Sequence, residues 1–232
     1  ETDTGVVQVD SLALDEADSI RRASSFHADL VTRAASETQQ LRAIDAGLIV
    51  GDIPPLAFAV AASAGLPSIA IGNFTWDWIY SDYPRIRLAP SLLPTIQGAY
   101  AKATMALKLP MSEGFNEITN VKDIPFIARH ATKSRKEVCS ALKLPATKPL
   151  VLMSFGGYGL PSLDTSVLTK LKKYTVVTVT NIPLGRTKQE TKSTQKKRAL
   201  VTLDEQAIYD SGVRYEDLVA ASEVVVTKPG YG

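Results

Sequence analysis

Apolar residues along the chain recur first with the spacing of a helix and then in short unbroken runs, and the two patterns alternate. Val6 to Val9 reads as a short strand. From Leu14 onward, Ile20, Ala23, Phe26, Leu30, Ala34 and Leu41 follow one another at three-, four- or seven-residue steps, with Asp, Arg, Glu and Gln between them. This predicts one long half-buried helix that Gly47 stops. Leu48-Ile-Val-Gly51 is a strand that delivers Asp52 at its C-terminal end. Ile53-Pro54-Pro55 opens a helix through Ala64, because proline is tolerated in a first turn and the Ala-rich run favours helix, and Gly65-Leu-Pro67 closes it. Ser68-Ile-Ala-Ile-Gly72 is the next strand. Ser81 to Pro90 reads as an irregular loop, Leu92 to Leu109 as a helix with a break at Pro94, and Met111 to Thr119 as a polar, turn-rich connector. Val121 to Ala128 reads as a strand that Pro125 confines to an edge or a bulge.

The second half repeats the alternation. Ser134-Arg-Lys-Glu137 is a capping box that starts a helix, and Pro145 to Pro149 is a connector. Leu150-Val-Leu-Met-Ser154 is an apolar strand that runs through Phe155 into Gly156-Gly157-Tyr158-Gly159, three glycines in four residues. Ser162 to Lys172 reads as a short amphipathic helix, Tyr174 to Thr180 as a β-branched strand, Ala199 to Leu203 as another strand and Tyr215 to Ala221 as a helix. Val224 to Thr227 is a last strand that opens into Lys228-Pro229-Gly230. Strands and helices joined by short loops predict α/β architecture with parallel sheets. The expected arrangement is two Rossmann-like domains, residues 1–129 and 130–232. Both are expected to be incomplete, the first lacking its initial strands and the second the helix after its last one.

Composition narrows the class. With 232 residues, 45% of them hydrophobic and 22% charged, the chain can bury a sizeable core. The single Cys139 excludes an intrachain disulfide and a Cys-rich metal site, which points to a reducing cytoplasm and a buried structural thiol. No run approaches the ~18 apolar residues of a membrane span, and the N-terminus lacks the basic and apolar regions of a signal peptide. Residues 1–80 carry 11 acidic and 4 basic side chains, against 13 and 22 in residues 81–232. The second half therefore favours an anionic ligand or surface. Within it, residues 186–198 hold six basic residues and one acidic. They read as a solvated loop or a peripheral contact with an anionic membrane, and not as a nucleic-acid site, because interleaved aromatics are missing.

Candidate chemistry gathers where strands end, since ligands of parallel sheets collect beyond the C-terminal ends of their strands. Asp52 and Asn73 lie at such ends. Asn73-Phe-Thr-Trp76-Asp77-Trp78-Ile-Tyr80 carries both tryptophans and a carboxylate, which suits a sugar or another flat ligand, and equally suits plain packing. His27 has no second His or Cys nearby and reads as a packed or surface histidine. Gly156 to Gly159 lacks the Gly-Lys-Ser/Thr of a P-loop and the third glycine of a dinucleotide fingerprint. A Gly turn that leads into a helix still suits a diphosphate, whose oxygens approach the backbone N–H groups. Lys228-Pro229-Gly230 adds a positive side chain and a second source of N–H groups.

Asp52-Ile-Pro-Pro-Leu-Ala57, Gly65 to Tyr80, Leu150 to Gly159 and Ala221 to Gly232 together resemble glycosyltransferase-like proteins of GT-B fold. These are related to the bacterial N-acetylglucosaminyltransferases of lipid II synthesis and to diacylglycerol glucosyltransferases. The same stretches resemble the N-terminal half of plant arabinokinase-like proteins, where the module precedes a sugar kinase. The resemblance implies a nucleotide-sugar donor, UDP-linked by expectation, held by the C-terminal domain through Gly156, Gly157, Tyr158, Gly159, Thr227, Lys228, Pro229 and Gly230. It implies a sugar or lipid acceptor on the side of Asn73, Trp76, Asp77 and Trp78, and no metal or further cofactor; Asp52, by its place at the strand-end edge, reads as a cap on the first turn of the following helix or as a candidate base. Transfer is then direct displacement at the anomeric carbon, with N–H groups stabilising the leaving diphosphate. The family's N-terminal strand with its Gly/His-rich loop, and its carboxylate for the donor ribose, have no counterpart here, so the stretch by itself is expected to be inactive. Two other readings stay open: a non-catalytic nucleotide-sugar-binding or regulatory module of a sugar-kinase fusion, and a sugar-nucleotide epimerase of the same architecture.

Overall fold

The computed structural model describes residues 2–10, 13–155, 168, 171–180 and 200–227. Contacts divide the chain into two units, the first built mainly on Leu14–Ile127 and the second on Ala128–Gly230.

The first unit opens with β1 (Val7–Gln8), which pairs antiparallel with β2 (Leu14–Asp15). The single long helix expected from Leu14 is two, α1 (Glu16–Ala28) and α2 (Leu30–Ala43), separated at Asp29. Asp29 donates its N–H to the His27 carbonyl, outside the α-helical pattern, and Asp is a poor helix former because it competes for local backbone groups. The apolar periodicity survives the break, since Phe26, Leu30 and Ala34 pack into one cluster with Leu56, Ala59 and Val60.

β3 (Ile49–Gly51) leads to α3 (Pro55–Ala64), which starts at the two prolines and ends on Gly65 at φ 71°. That left-handed position favours glycine. β4 (Ser68–Gly72) leads to α4 (Trp76–Ser81), and a 3₁₀ turn, Pro84–Leu88, occupies the stretch expected to be irregular. α5 (Leu92–Tyr100) tolerates Pro94 because an N–H in the first turn has no intrahelical partner. The helix stops well short of Leu109: Met105–Lys108 is β5, parallel to β4 from Ile69↔Met105 to Gly72↔Lys108. Met-Ala-Leu-Lys is a good helix sequence, and pairing with β4 overrides its preference. β6 is only Val121–Asp123, with Ile124 adding one bond to the Lys108 carbonyl before Pro125. Beyond it, Phe126 and Ile127 are exposed. The four strands form one parallel sheet in the order β3-β4-β5-β6. Phe58, Ala70, Tyr80, Leu92, Ile96, Tyr100 and Ala106 fill its core.

In the second unit α6 (Arg135–Ala141) carries the expected capping box, with Ser134 N–H donating to the Glu137 carboxylate at 2.8 Å. β7 (Leu150–Ser154), β8 (Thr175–Thr180) and β9 (Leu200–Asp204) follow. α7 (Glu205–Asp210) is an element that the apolar pattern did not announce. Asp204 caps it, accepting the Ala207 N–H at 3.0 Å. α8 (Tyr215–Ala220) and β10 (Val224–Thr227) complete the unit. All four strands are parallel, in the order β10-β7-β8-β9. The core gathers Val138, Leu150, Leu152, Val177, Ile208, Val213 and Leu218, with Cys139 among them as a buried free thiol. The architecture is α/β with two parallel four-stranded sheets, consistent with Rossmann-like domains.

Two carboxylates set the second unit's helices. Asp217, fully buried, accepts the N–H groups of Thr132 at 2.7 Å, Lys133 at 3.0 Å and Arg214 at 2.9 Å. These bonds, led by that from Arg214, hold its carboxyl down at about pKa 2. Glu223 accepts the Leu150 N–H at 2.6 Å and pairs with Arg135, joining α6 to the start of β7.

Candidate functional site

In the first unit, β3 and β4 are neighbours with Gly51 opposite Ala70, so Asp52 and Asn73 leave the sheet at the same edge. Asp52 is exposed, and its carboxylate reaches over Gly72, where an added Cβ would lie 3.7 Å from Oδ1 and 2.7 Å from Ile53 Cγ2. Ile53 itself stands at φ 57°, a costly conformation for a β-branched residue. Tyr100 holds it there: the phenol donates to the Ile53 carbonyl at 2.7 Å and accepts the Trp76 N–H at 3.1 Å. Burial pushes that phenol well above its usual pKa. One side chain of α5 thus ties the loops after β3 and β4 together. The loop after β5 joins them, with Leu109 N–H donating to the Gly72 carbonyl at 2.9 Å and Glu113 N–H to the Asn73 carbonyl at 3.0 Å. Gly114, at φ 87°, lies against Thr75.

The residues proposed for the acceptor side divide by environment. Asn73 is half-buried. Trp76 is 7% exposed, stacks on Tyr80 at 5.5 Å and 20°, and donates its indole N–H to Asp3 at 3.0 Å. Its polar handle and one ring face are therefore committed to internal contacts. Asp77 is also 7% exposed, in the first turn of α4, with Oδ1 buried and lacking a hydrogen-bond partner. Trp78 is 43% exposed and presents its ring to solvent. The edge therefore offers a carboxylate at Asp52, an amide at Asn73 and an aromatic surface at Trp78.

The second unit has a different strand order. β7, β8 and β9 lie in chain order, and β10 then joins on the other side of β7. β7 pairs with β8, the next strand in the chain, on one side and with β10 on the other, so the strand order reverses between β10 and β7. This is the position at which parallel sheets open a ligand crevice beyond their carboxyl ends. Ser154, the last residue of β7, pairs in register with Thr227, the last of β10. Both Gly-containing runs in the sequence begin just past this pair. Gly156, Gly157, Tyr158, Gly159, Lys228, Pro229 and Gly230 lie outside the described residues, as do residues 186–198 and most of Ser162–Lys172. Of the donor-side set, Thr227 is described, and it is exposed at the strand end.

Three residues of these edges carry no signal in the linear pattern. Tyr100 reads as an ordinary core aromatic of α5. Ser154 is the polar residue that ends an apolar strand, and Tyr215 is the first residue of α8; their hydroxyls are hydrogen-bonded across 61 residues of chain. His27 is 3% exposed, with Nδ1 buried and unpartnered, and burial, aided by the Arg33 guanidinium, pushes its pKa down to about 4. It is a neutral, packed histidine. Among the described residues no helix is long and apolar enough to cross a membrane.

No family model matches the chain. It is similar to L-arabinokinase of Arabidopsis thaliana, 32% identical over 162 residues. The match covers 67% of this chain and 15% of that relative's length.

Proposed function

We propose that the chain is a nucleotide-sugar-binding module of a sugar-kinase-related protein, with the diphosphate of the ligand held beyond the carboxyl ends of β7 and β10. The observation that carries this reading is the reversal of strand order between those two strands, with Ser154 and Thr227 in register at their ends. In the sequence Gly156, Gly157 and Gly159 follow β7, and Lys228 and Gly230 follow β10, residue types that suit a diphosphate. Similarity to L-arabinokinase favours a partnership with sugar phosphorylation over an independent transferase, and adds a free sugar or its phosphorylated product to the candidate ligands.

Sugar transfer is the second reading, and the exposed Asp52 favours it. A carboxylate at a strand end can take the proton of an acceptor hydroxyl as that oxygen attacks the anomeric carbon and the nucleoside diphosphate departs. Calorimetric titration of the chain with UDP- and GDP-sugars, UDP, GDP, ATP and free pentoses and hexoses, paired with an assay of nucleoside diphosphate release, separates the readings. Saturable binding of a nucleotide sugar without release, with or without added sugar and lipid acceptors, is the expected result. Release that depends on an acceptor and is lost in Asp52→Asn establishes the transferase instead. Absence of binding by every nucleotide sugar overturns both.

A further inference from the structure

We infer that residues 2–6 form a strap closed over a sugar-binding carboxylate, Asp77 of α4, and that a sugar binds when the strap lifts. This site belongs to the first unit and does not depend on the diphosphate reading of the second. The strap crosses α4 on two hydrogen bonds: Asp3 accepts the Trp76 indole N–H at 3.0 Å, and the Gly5 carbonyl accepts the Tyr80 hydroxyl at 2.7 Å. Between them Gly5 packs on the indole, where an added Cβ would lie 3.7 Å from Trp76 Cη2. Past the strap, the Val7 N–H donates to Ser19 Oγ at 2.8 Å and β1 begins. Asp77 follows Trp76 and precedes Tyr80 by three residues on the same helix, so it borders the face that the strap covers. The charges of Asp77 and Asp3 both act on the Tyr100 phenol, which gathers the two carboxylates around one oxygen.

Closure leaves polar groups unsatisfied. Asp77 is 7% exposed, and its Oδ1 is buried with no hydrogen-bond partner among the described residues; Thr4 Oγ1, on the strap itself, is in the same state. A buried carboxylate oxygen without a donor is costly to keep, and a second carboxylate nearby adds to the cost. Few bonds oppose lifting. Among the described residues Thr4 and Gly5 make no backbone–backbone hydrogen bond, and Gly5 stands at φ 55°, which glycine adopts without strain. A segment held by side chains and not by a backbone ladder opens at lower free energy than the sheet it covers. What lifting exposes is an acceptor that the chain does not satisfy. The ligand that suits it brings hydroxyl donors, and Trp78, next in the chain and 43% exposed, offers an aromatic surface for the apolar face of a sugar ring. A sugar that binds the lifted state alone shifts the population toward it.

Hydrogen exchange read by mass spectrometry on the full chain, with and without D-xylose, L-arabinose, D-glucose or D-galactose, tests the strap. A sugar that binds is expected to speed exchange across residues 3–7 and leave α5 unchanged; unchanged or slowed exchange of residues 3–7 at saturation overturns the inference. Calorimetry gives a second readout. Asp3→Ala and Tyr80→Phe each remove one strap bond and are expected to tighten sugar binding several-fold, because the lifted state is then more populated before the ligand arrives. A merely structural role for these residues lowers the thermal midpoint without tightening binding, and that result overturns the inference. Asp77→Asn keeps the shape of the side chain and is expected to raise Kd about tenfold; an unchanged Kd overturns its part. If the parent binds none of the four sugars, the strap variants decide: binding by either supports closure, and no binding by any of the three chains overturns it. Titrations of the same chains with UDP and GDP are expected to be unaffected, so failure of the diphosphate reading is recognised separately.

Discussion

The phenol of Tyr100 donates to the carbonyl of Ile53 at 2.7 Å, and through that bond a residue at φ 57° is kept in place at the edge of the first sheet. Tyr100 is 1% exposed, and its oxygen also accepts the Trp76 N–H. Tyr100→Phe leaves a buried carbonyl and a buried N–H without partners and is expected to cost about 2–3 kcal/mol. Urea denaturation followed by tryptophan fluorescence reads this, because Trp76 and Trp78 are the chain's two tryptophans and Trp76 itself carries the N–H that loses its partner. Tyr209→Phe, at a residue 44% exposed, is the control and is expected to change stability by less than about 0.5 kcal/mol.

Acid sensitivity should come in two separable steps. His27 has a folded pKa of about 4 against its ordinary 6.5. Between those values the unfolded chain binds a proton that the folded one refuses, so stability falls as pH drops from about 6.5 to about 4. The loss is on the order of 3 kcal/mol. Asp217 titrates at about 2 when folded against an ordinary 3.8, so the stability it contributes above about pH 4 disappears as pH falls toward 2. Thermal midpoints measured from pH 8 to 2 should show the upper limb vanish in His27→Gln. In Asp217→Asn the deficit relative to the parent should shrink as pH falls through the lower window; a deficit that stays constant from pH 7 to 2.5 contradicts the assignment.

Two glycines should respond to alanine with opposite signs. At Gly114, φ 87°, an added Cβ would lie 2.2 Å from Thr75 Oγ1, so Gly114→Ala is expected to cost about 2–4 kcal/mol. Gly98 lies inside α5, and an added Cβ there meets nothing within 4 Å. Gly98→Ala is therefore expected to stabilise by about 0.5–1 kcal/mol. Paired denaturation curves check both.

The two tryptophans, two residues apart, should behave as different kinds of residue. Trp76→Ala removes a buried, stacked and hydrogen-bonded side chain and is expected to cost about 3–5 kcal/mol. Trp78→Ala is expected to leave stability within about 0.5 kcal/mol, since Trp78 is 43% exposed. In single-tryptophan variants acrylamide should quench Trp78 strongly and Trp76 weakly. Any sugar contact at this edge should follow Trp78.

What the amino-acid order determined by itself was the alternation of strand and helix, the prolines and glycine that bound α3, the capping box of α6, and the apolar runs that became β3, β4, β7 and β10. These follow from local propensity and periodicity, which act within a few residues. Tertiary structure decided what depends on distant partners. Pairing with β4 turned Met105–Lys108 from helix to strand. Packing separated Trp76 from Trp78, and one phenol of α5 joined two loops. Placement of β10 beside β7, and not beyond β9, put Ser154 opposite Thr227. No local pattern encodes the order in which parallel strands assemble, because that order is set by which crossovers bury the most apolar surface. It is that order which locates the candidate ligand edge.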